Sequence, residues 1–147
     1  MSEVRFANNE ADHSQIAAHL HACDAMFVPA LSARVDLDEY AIKLLQSSDR
    51  FEAWSSEDLT GLVAIYCNDP GGESAFITNV SILPTSQGMG VASRLLDRSI
   101  SHMRQLGFRR IKLEVDAHNH AAIALYEKHA FIAVDRNNTT LDMKLNL

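Results

Sequence analysis

Apolar residues at helical spacing predict two helices near the start of the chain. Gln15 follows Asp12 at the spacing of a capping box, so a helix should begin after Asp12 and end by Pro29. A second capping-box spacing begins at Asp36 and predicts a helix to about Ser47. The predicted inward positions of the two helices are Ile16, Leu20, Cys23, Phe27, Leu37, Tyr40, Ala41 and Leu44.

Strand-like runs lie before and after these helices. Residues 2–7 alternate loosely and predict a first strand, and 50–55 and 60–67 predict two strands joined by a short polar turn. The run 60–67 is apolar on both faces, so it should be covered on both sides. A strong turn signal at 68–72 precedes the run 75–83, and together they predict an antiparallel hairpin.

A glycine turn with the sequence Gln-Gly-Met-Gly-Val-Ala occupies residues 87–92. It opens a predicted helix from Val91 to Leu106, which Gly107 should end in a left-handed conformation. The first N–H groups of a helix lack intrahelical partners and lie at the positive end of its dipole. The glycine spacing matches neither the triphosphate loop nor the dinucleotide fingerprint. We interpret 87–92 as a pyrophosphate cradle, the alternative being an ordinary turn.

The remaining elements predict one parallel step and a final hairpin. Residues 108–115 predict a strand, and a strand–helix–strand unit of this length makes it parallel to the strand before the helix. Asn119 is a predicted N-cap for a short helix over 121–129, and 131–147 predicts two strands. The predicted order is β α α β β β α β α β β in one domain, 1–147.

Composition and charge restrict the class of protein. The chain has 19 acidic and 13 basic residues, and this net charge of −6 argues against non-specific binding of nucleic acid. No apolar run reaches about 18 residues and the N-terminus does not match a signal peptide, so we expect no membrane association and a cytoplasmic location. Cys23 and Cys67 match no metal or redox spacing and are predicted to be buried free thiols.

Gln87, Gly90 and Ala92 in the glycine turn, followed downstream by Asn119, Ala122, Leu125 and Tyr126, form two motifs that closely resemble those of the GNAT superfamily of N-acetyltransferases. The family's Gln/Arg-x-x-Gly-x-Gly/Ala pattern is matched by Gln87, Gly90 and Ala92. Its Asn-x-x-Ala-x-x-Leu-Tyr pattern is matched by Asn119, Ala122, Leu125 and Tyr126. The resemblance covers almost the whole chain and implies an α/β (α+β) fold, with a mixed sheet of six to seven strands flanked by about four helices.

One position departs from the family pattern. The family usually has glycine where this chain has Ala130, after the helix that contains Tyr126. Glycine suits a left-handed helix exit. Alanine therefore predicts either a different exit or a strain of about 1 kcal/mol.

The resemblance implies acetyl-coenzyme A as co-substrate. The backbone of 80–82 would pair with the pantetheine arm, the N–H groups of 88–92 would hold the pyrophosphate, and Asn119 would bond the pantetheine region. Arg94 or Lys128 would meet the 3′-phosphate, unless both are plain surface charges. The implied cofactor-binding residues are Val80, Ser81, Ile82, Gln87, Gly88, Met89, Gly90, Val91, Ala92 and Asn119.

The resemblance also implies two catalytic residues. Tyr126 matches the family position that protonates the leaving thiolate, the alternative being a packed helix tyrosine. Glu114 matches the base proposed for acetyltransferases that modify the N-terminus of a ribosomal protein, the alternative being an outward strand residue. Phe76 excludes a carboxylate at the family's other common base position. The remaining base candidates are a water chain, Glu73, Asp69 and Glu52.

Several other polar residues are candidates with simpler alternatives. His118 and His120 flank Asn119 without sharing a helix face, and no third ligand is apparent, so we predict no metal site. The resemblance suggests an acceptor site near the first helix and the loop after it. Its candidates, each also explained by ordinary packing or exposure, are His19, His21, Arg34, Tyr40, Tyr66 and Asn79.

The sequence leaves three functions open. The first is transfer to a primary amine of a small molecule; the segments 66–70 and 34–44 resemble small GNAT proteins encoded among surface-polysaccharide genes, which suggests an amino sugar. The second is a protein or peptide N-terminal acetyltransferase, favoured by 113–126. The third is a coenzyme A-binding regulatory module without turnover. A glycine-rich nucleotide-binding module is a further alternative, but it leaves the pattern from Asn119 to Tyr126 unexplained.

The resemblance also bears on the oligomeric state. Homodimers are common in the family, and the final hairpin is the expected edge of the sheet for a dimer contact.

Overall fold

A computed structural model describes residues 3–27 and 29–147. Residue 2 of the predicted first strand and residue 28 of the first interhelical loop lie outside this range. The described residues contain seven strands and four α-helices in the predicted order. They are β1 Val4–Asn8, α1 His13–Cys23, α2 Leu37–Ser47, β2 Asp49–Ser55, β3 Asp58–Tyr66, β4 Ser74–Ile82, α3 Val91–Leu106, β5 Arg110–Asp116, α4 His120–Lys128, β6 Ile132–Arg136 and β7 Thr140–Asn146.

All seven strands form one mixed sheet in the order β1-β2-β3-β4-β5-β7-β6. Neighbouring strands are antiparallel except β4 and β5, which are parallel across α3. The predicted fold class, the parallel step and the hairpins are therefore confirmed.

Two apolar clusters lie on opposite faces of the sheet. On one face, α1 and α2 bury Leu20 and Leu44 against Leu62 of β3. On the other, α3 buries Leu95 against Ile65 of the same strand, in a cluster to which α4 contributes Tyr126. Since β3 is buried from Leu59 to Ile65, the prediction that both its faces are covered is confirmed.

The first two helices begin as predicted, but one ends earlier. Asp12 and Gln15 form both bonds of the capping box. The Asp36 side chain accepts from the Glu39 N–H at 3.0 Å, and the described residues show no return bond from the Glu39 side chain. The prediction that Phe27 lies on the stripe of α1 is wrong. Phe27 lies beyond α1, because a 3-10 turn over Asp24–Met26 follows Cys23. Asp24 accepts from the N–H and hydroxyl of Ser32, which ties this turn to the interhelical loop.

The two cysteines differ in burial. Cys23 is buried as predicted, whereas Cys67 is half-buried, which corrects its expected burial. Cys67 is the residue directly after β3, and its thiol lies 3.5 Å from Oδ2 of Asp49, the first residue of β2. Both thiols are free. No helix in the described part of the chain is long and apolar enough to cross a membrane.

The exit of α4 is left-handed although alanine occupies it. Ala130 has φ 72°, and the Phe131 N–H donates to the Tyr126 carbonyl at 3.0 Å to close the helix. A left-handed backbone costs an L-residue with a Cβ about 1–2 kcal/mol. Of the two outcomes predicted for this position, the strained exit is therefore the one observed.

Ala130→Gly should raise the free energy of unfolding by about 1 kcal/mol, because glycine adopts a positive φ without strain. Urea denaturation measures the change. Ala124→Gly is the matched control, since Ala124 is an exposed residue inside the same helix, where glycine should cost about 1 kcal/mol. A loss of stability in Ala130→Gly would contradict the strained exit.

Candidate active site

The parallel strands β4 and β5 separate halfway along their length. They pair only from Ser74 to Ile77 with Arg110 to Leu113. On the β3 side, Ala64 pairs with Asn79 and the next residue pairs with Ile77, so Thr78 is an extra residue in β4. Such a bulge bends the strand that contains it. Within the described residues, one backbone edge of 78–82 therefore has no strand partner, and this edge includes the backbone of 80–82 that the resemblance assigned to the pantetheine arm.

A cleft of 1080 Å³ occupies the gap between the two strands. Its walls come from β4, β5, the glycine turn, α4 and the loop between α1 and α2. Most of the predicted site residues lie on these walls: Val80, Ser81, Ile82, Gln87, Gly88, Gly90, Val91, Ala92, Glu114, Asn119 and Tyr126. Met89 differs, because its side chain is 60% exposed and does not line the cleft.

The glycine turn leaves open space at the start of α3. Gly88 and Gly90 have φ values of 81° and 74°, which glycine adopts without strain. A Cβ added at either position would meet no protein atom within 4 Å. Among residues 3–27 and 29–147, no side chain caps the start of α3 at Gly90, so its first N–H groups are not engaged by a capping side chain. These features fit the predicted anion cradle.

Asn119 and Tyr126 lie at opposite ends of α4. The Asn119 Oδ1 accepts from the Ala122 N–H at 3.2 Å, which confirms the N-cap and leaves the side-chain NH₂ available to a ligand. Tyr126 is 8% exposed, and burial raises its pKa to about 12. Within 3–27 and 29–147, no group hydrogen-bonds its hydroxyl, and its ring packs edge-to-face on Phe131. With a pKa of about 12, Tyr126 is protonated at neutral pH, and it lines the cleft.

Of the predicted base candidates, only Glu114 lines the cleft. It is exposed on β5, opposite the buried positions of that strand, and pairs in register with Asp142. Glu73 lies near Arg109 and Arg110 at the far end of β5, and Asp69 accepts from the backbone N–H groups of its own loop. Glu52 is fully buried in ionic and backbone contacts beside α1.

The wall beneath α1 and α2 is largely apolar. Arg34, Tyr40 and Asn79 are the predicted acceptor-site residues found there, and the Tyr40 hydroxyl donates to the Thr78 carbonyl at 3.0 Å. Burial raises the pKa of Tyr40 to about 12. His19, His21 and Tyr66 do not line the cleft. The apolar residues of this wall are Met26, Phe27, Pro29, Leu31, Val35 and Phe76.

The two predicted phosphate-binding cations lie in different places. The Arg94 guanidinium lies over the ring of Phe6 on β1, 4.5 Å from the ring centroid, and does not line the cleft. Lys128, at the end of α4, does line it. The structure therefore leaves Lys128 as the available cation of the pair.

Some cleft residues were not predicted. The sequence signal that picked out 87–92 also extends to Ser93 in the first helical turn, which lines the cleft. Thr78 carried no signal, because its importance comes from the bulge. Across the described residues, no group of three or more His, Cys, Asp or Glu side chains is arranged to hold a metal ion.

The family model for the acetyltransferase (GNAT) family matches residues 16–131. The chain belongs to this family of acetyltransferases, as its two motifs predicted.

Curated relatives match shorter stretches. A mycothiol acetyltransferase from Geodermatophilus obscurus is 35% identical over 55% of this chain and 28% of its own length. A [ribosomal protein bS18]-alanine N-acetyltransferase from Haemophilus influenzae is 40% identical over 43% of this chain and 42% of its own length. The chain thus spans less than a third of the mycothiol acetyltransferases it matches.

Solved structures match over nearly the full length. The ribosomal-protein-S18-alanine N-acetyltransferase from Escherichia coli superposes with a TM-score of 0.81 at 20% identity, covering 98% of this chain and 94% of that one. A GNAT family acetyltransferase from Elizabethkingia anophelis with acetyl-CoA bound gives 0.73 at 14% identity, covering 98% of both chains. At these identities the likeness establishes the shared fold.

Proposed function

We propose that this chain transfers the acetyl group of acetyl-CoA to a primary amine of a small molecule. The observation that carries the proposal is the split between β4 and β5 with a glycine-opened helix start at its mouth. An exposed strand edge suits an extended amide-containing arm. A helix start suits a pyrophosphate. The bound thioester would supply the activated acetyl group.

Each part of the cleft is proposed to bind a particular part of acetyl-CoA. Backbone groups of 80–82 pair with the pantetheine arm, and the N–H groups of 88–92 hold the pyrophosphate beside Gln87. The Asn119 NH₂ donates to the pantetheine region. Lys128 meets the 3′-phosphate, since Arg94 is already stacked on Phe6. Met89 contributes through its backbone N–H alone, because its side chain lies outside the cleft.

Two side chains are proposed to act in the transfer. Tyr126 donates its proton to the departing thiolate, which its high pKa and unengaged hydroxyl support. Glu114 is the predicted base on the cleft wall, where Asp116 is a second carboxylate; Glu114 attracts the acceptor's ammonium and is the first candidate to take its proton. Attack on the acetyl carbon requires the neutral amine.

Two classes of acceptor are candidates. A small-molecule amine is supported by the several mycothiol acetyltransferases among the relatives, and an amino sugar is the first member of that class to test. A peptide N-terminus is supported by the relative named for a ribosomal-protein alanine. The apolar wall around Phe27 and Phe76 would accept a side chain of either kind of acceptor.

The experiment is acetyl-CoA-dependent thiol release against amino sugars, nucleotide amino sugars, polyamines, amino acids and short peptides with free N-termini. Turnover on a small-molecule class alone would support the proposal, and turnover on peptides alone would replace it by the second candidate. Each hit is repeated with Glu114→Gln, in which undiminished turnover would remove Glu114 as the base. Tight acetyl-CoA binding without turnover on any acceptor would favour a regulatory module.

A further inference from the structure

A buried histidine of α1 is bonded to two strands of the sheet. His19 is 3% exposed, and its Nδ1 lies 2.9 Å from the Leu59 carbonyl of β3. A carbonyl oxygen can only accept, so Nδ1 must hold a hydrogen. The other nitrogen, Nε2, lies 2.8 Å from the Ser81 hydroxyl of β4. In a neutral ring, Nε2 therefore carries a lone pair and accepts a hydrogen bond from the Ser81 hydroxyl.

Ser81 links this histidine to the cleft. Ser81 and Asn79 both line the cleft, and Ser81 Oγ lies 2.7 Å from Asn79 Oδ1, while Asn79 Nδ2 is buried without a hydrogen bond to any described residue. Ser81 has one proton for two neighbours. With a neutral His19, it donates to Nε2, and the Asn79 amide must be turned over so that its NH₂ donates to Ser81. With a charged His19, Nε2 donates to Ser81, which donates to the Asn79 oxygen. The two arrangements differ by one proton and by the orientation of the Asn79 amide, so the network takes up a proton without losing a bond once that amide turns.

The surroundings keep the histidine neutral at rest. Burial lowers the pKa of His19 below its ordinary value, so the ring is uncharged at neutral pH. Its titratable neighbours are also uncharged there. The Cys23 thiol, 3.7 Å from Nε2 on the same helix, has its pKa raised to about 11 by burial. Burial also raises the pKa of Tyr40, on α2 beyond Asn79, to about 12. The ring is thus a neutral base that does not line the cleft itself and is connected to it through Ser81.

We propose that Ser81 and His19 form the relay that removes the proton from the acceptor's ammonium group. The Ser81 oxygen takes the proton from the acceptor nitrogen while its own hydroxyl proton passes to His19 Nε2. One N–H bond breaks and one O–H forms at Ser81, and one O–H breaks as one N–H forms on the ring. The freed nitrogen lone pair attacks the acetyl carbon and the C–S bond breaks; Tyr126 gives its proton to the departing thiolate and regains one from the second N–H of the attacking nitrogen. The proton held on His19 leaves by the reverse path to water once the product departs.

The relay narrows the acceptor class and rests on the proposed function. A histidine with a lowered pKa is a weak base. It accepts a proton more readily from an α-amino group, with a pKa of about 7.7–8.0, than from an alkylamine near 10.4. The relay therefore favours acceptors whose ammonium group has a pKa as low as that of an α-amino group. Glu114, on β5, then attracts the ammonium and does not take its proton.

The test compares His19→Gln and Ser81→Ala with the wild type over pH 6.5–10, using an acceptor found by thiol release. At pH 7 each variant should lose about 100-fold in kcat/KM. The loss should shrink to within about threefold above the acceptor's amine pKa, where the amine is already neutral. The double variant should lose no more than either single one, because the two residues act as one unit. The affinity for acetyl-CoA should stay within about twofold.

His21→Gln is the matched control, since His21 lies two residues along the same helix, is exposed and pairs with Asp38. It should retain wild-type turnover at every pH. A loss in His19→Gln that is equal at all pH values would overturn the relay and leave a structural role. Full activity in both variants would overturn it too. A wild type without turnover on any acceptor would overturn the proposed function together with the relay, whereas pH-independent losses would overturn the relay alone.

Discussion

Tyr126→Phe should lower kcat by about 100-fold and leave acetyl-CoA affinity within about twofold. The substitution removes only the hydroxyl, which is the proposed proton donor, and keeps the ring packed against Phe131. Because burial holds the pKa of Tyr126 at about 12, the wild type should retain its donor across the neutral range. Steady-state thiol release and calorimetric titration measure the two quantities.

Tyr66→Phe is the control for this prediction. The Tyr66 hydroxyl is also buried without a hydrogen bond within the described ranges, but Tyr66 does not line the cleft. Its removal should leave kcat unchanged and should not destabilise the fold, because an unpaired buried hydroxyl contributes no bond. A Tyr126→Phe variant that keeps kcat within about threefold of the wild type would assign Tyr126 to packing alone.

Glu52→Gln should lower the free energy of unfolding by about 3–5 kcal/mol. Glu52 is fully buried and lies 3.5 Å from the buried Arg50 guanidinium. Its oxygens also accept from the N–H groups of Glu10 and Ala11 and from the Trp54 indole. The glutamine side chain is neutral, so it would leave the Arg50 charge uncompensated. Its NH₂ group would also replace a carboxylate oxygen and would face N–H donors that it cannot accept from. Urea denaturation measures the loss.

Glu10→Gln is the matched control, because the Glu10 carboxylate pairs with Arg5 at an exposed site. Exposed pairs contribute little, so stability should change by about 0.5 kcal/mol at most. Where Glu52→Gln remains folded at low temperature, its kcat should match the wild type, since Glu52 does not line the cleft. Wild-type stability in Glu52→Gln would contradict the structural role assigned to this carboxylate.

The periodic parts of the chain were predictable from sequence. Helix α3 begins at Val91 and ends at Leu106 as predicted, because its apolar stripe and the glycine at each end are local signals. The N-caps Asp12 and Asn119 are also local, since each side chain bonds a backbone group within three residues. Boundaries without such signals were less accurate: the strand predicted from residue 108 begins at Arg110.

Features that depend on contacts between distant residues were not predictable. Thr78 becomes the extra residue of β4 only because β3 pairs on both sides of it. His19 was one of several histidines until the fold placed it beside Ser81, 62 positions later. Arg94 matched a phosphate-binding role until β1 placed Phe6 under its guanidinium. In each case the side chain's role is decided by a partner that no local pattern identifies.

The most direct test of the cleft as the acetyl-CoA site is calorimetric titration of acetyl-CoA into the wild type, Gly90→Val and Gly107→Val. The two glycines end the same helix with φ values of 74° and 87°, and neither has a protein atom within 4 Å of an added Cβ. Both variants should therefore be strained to a similar extent. Only Gly90 lines the cleft, so Gly90→Val alone should weaken acetyl-CoA binding, by at least about tenfold. Equal affinities in the two variants, or no binding by the wild type, would contradict the account.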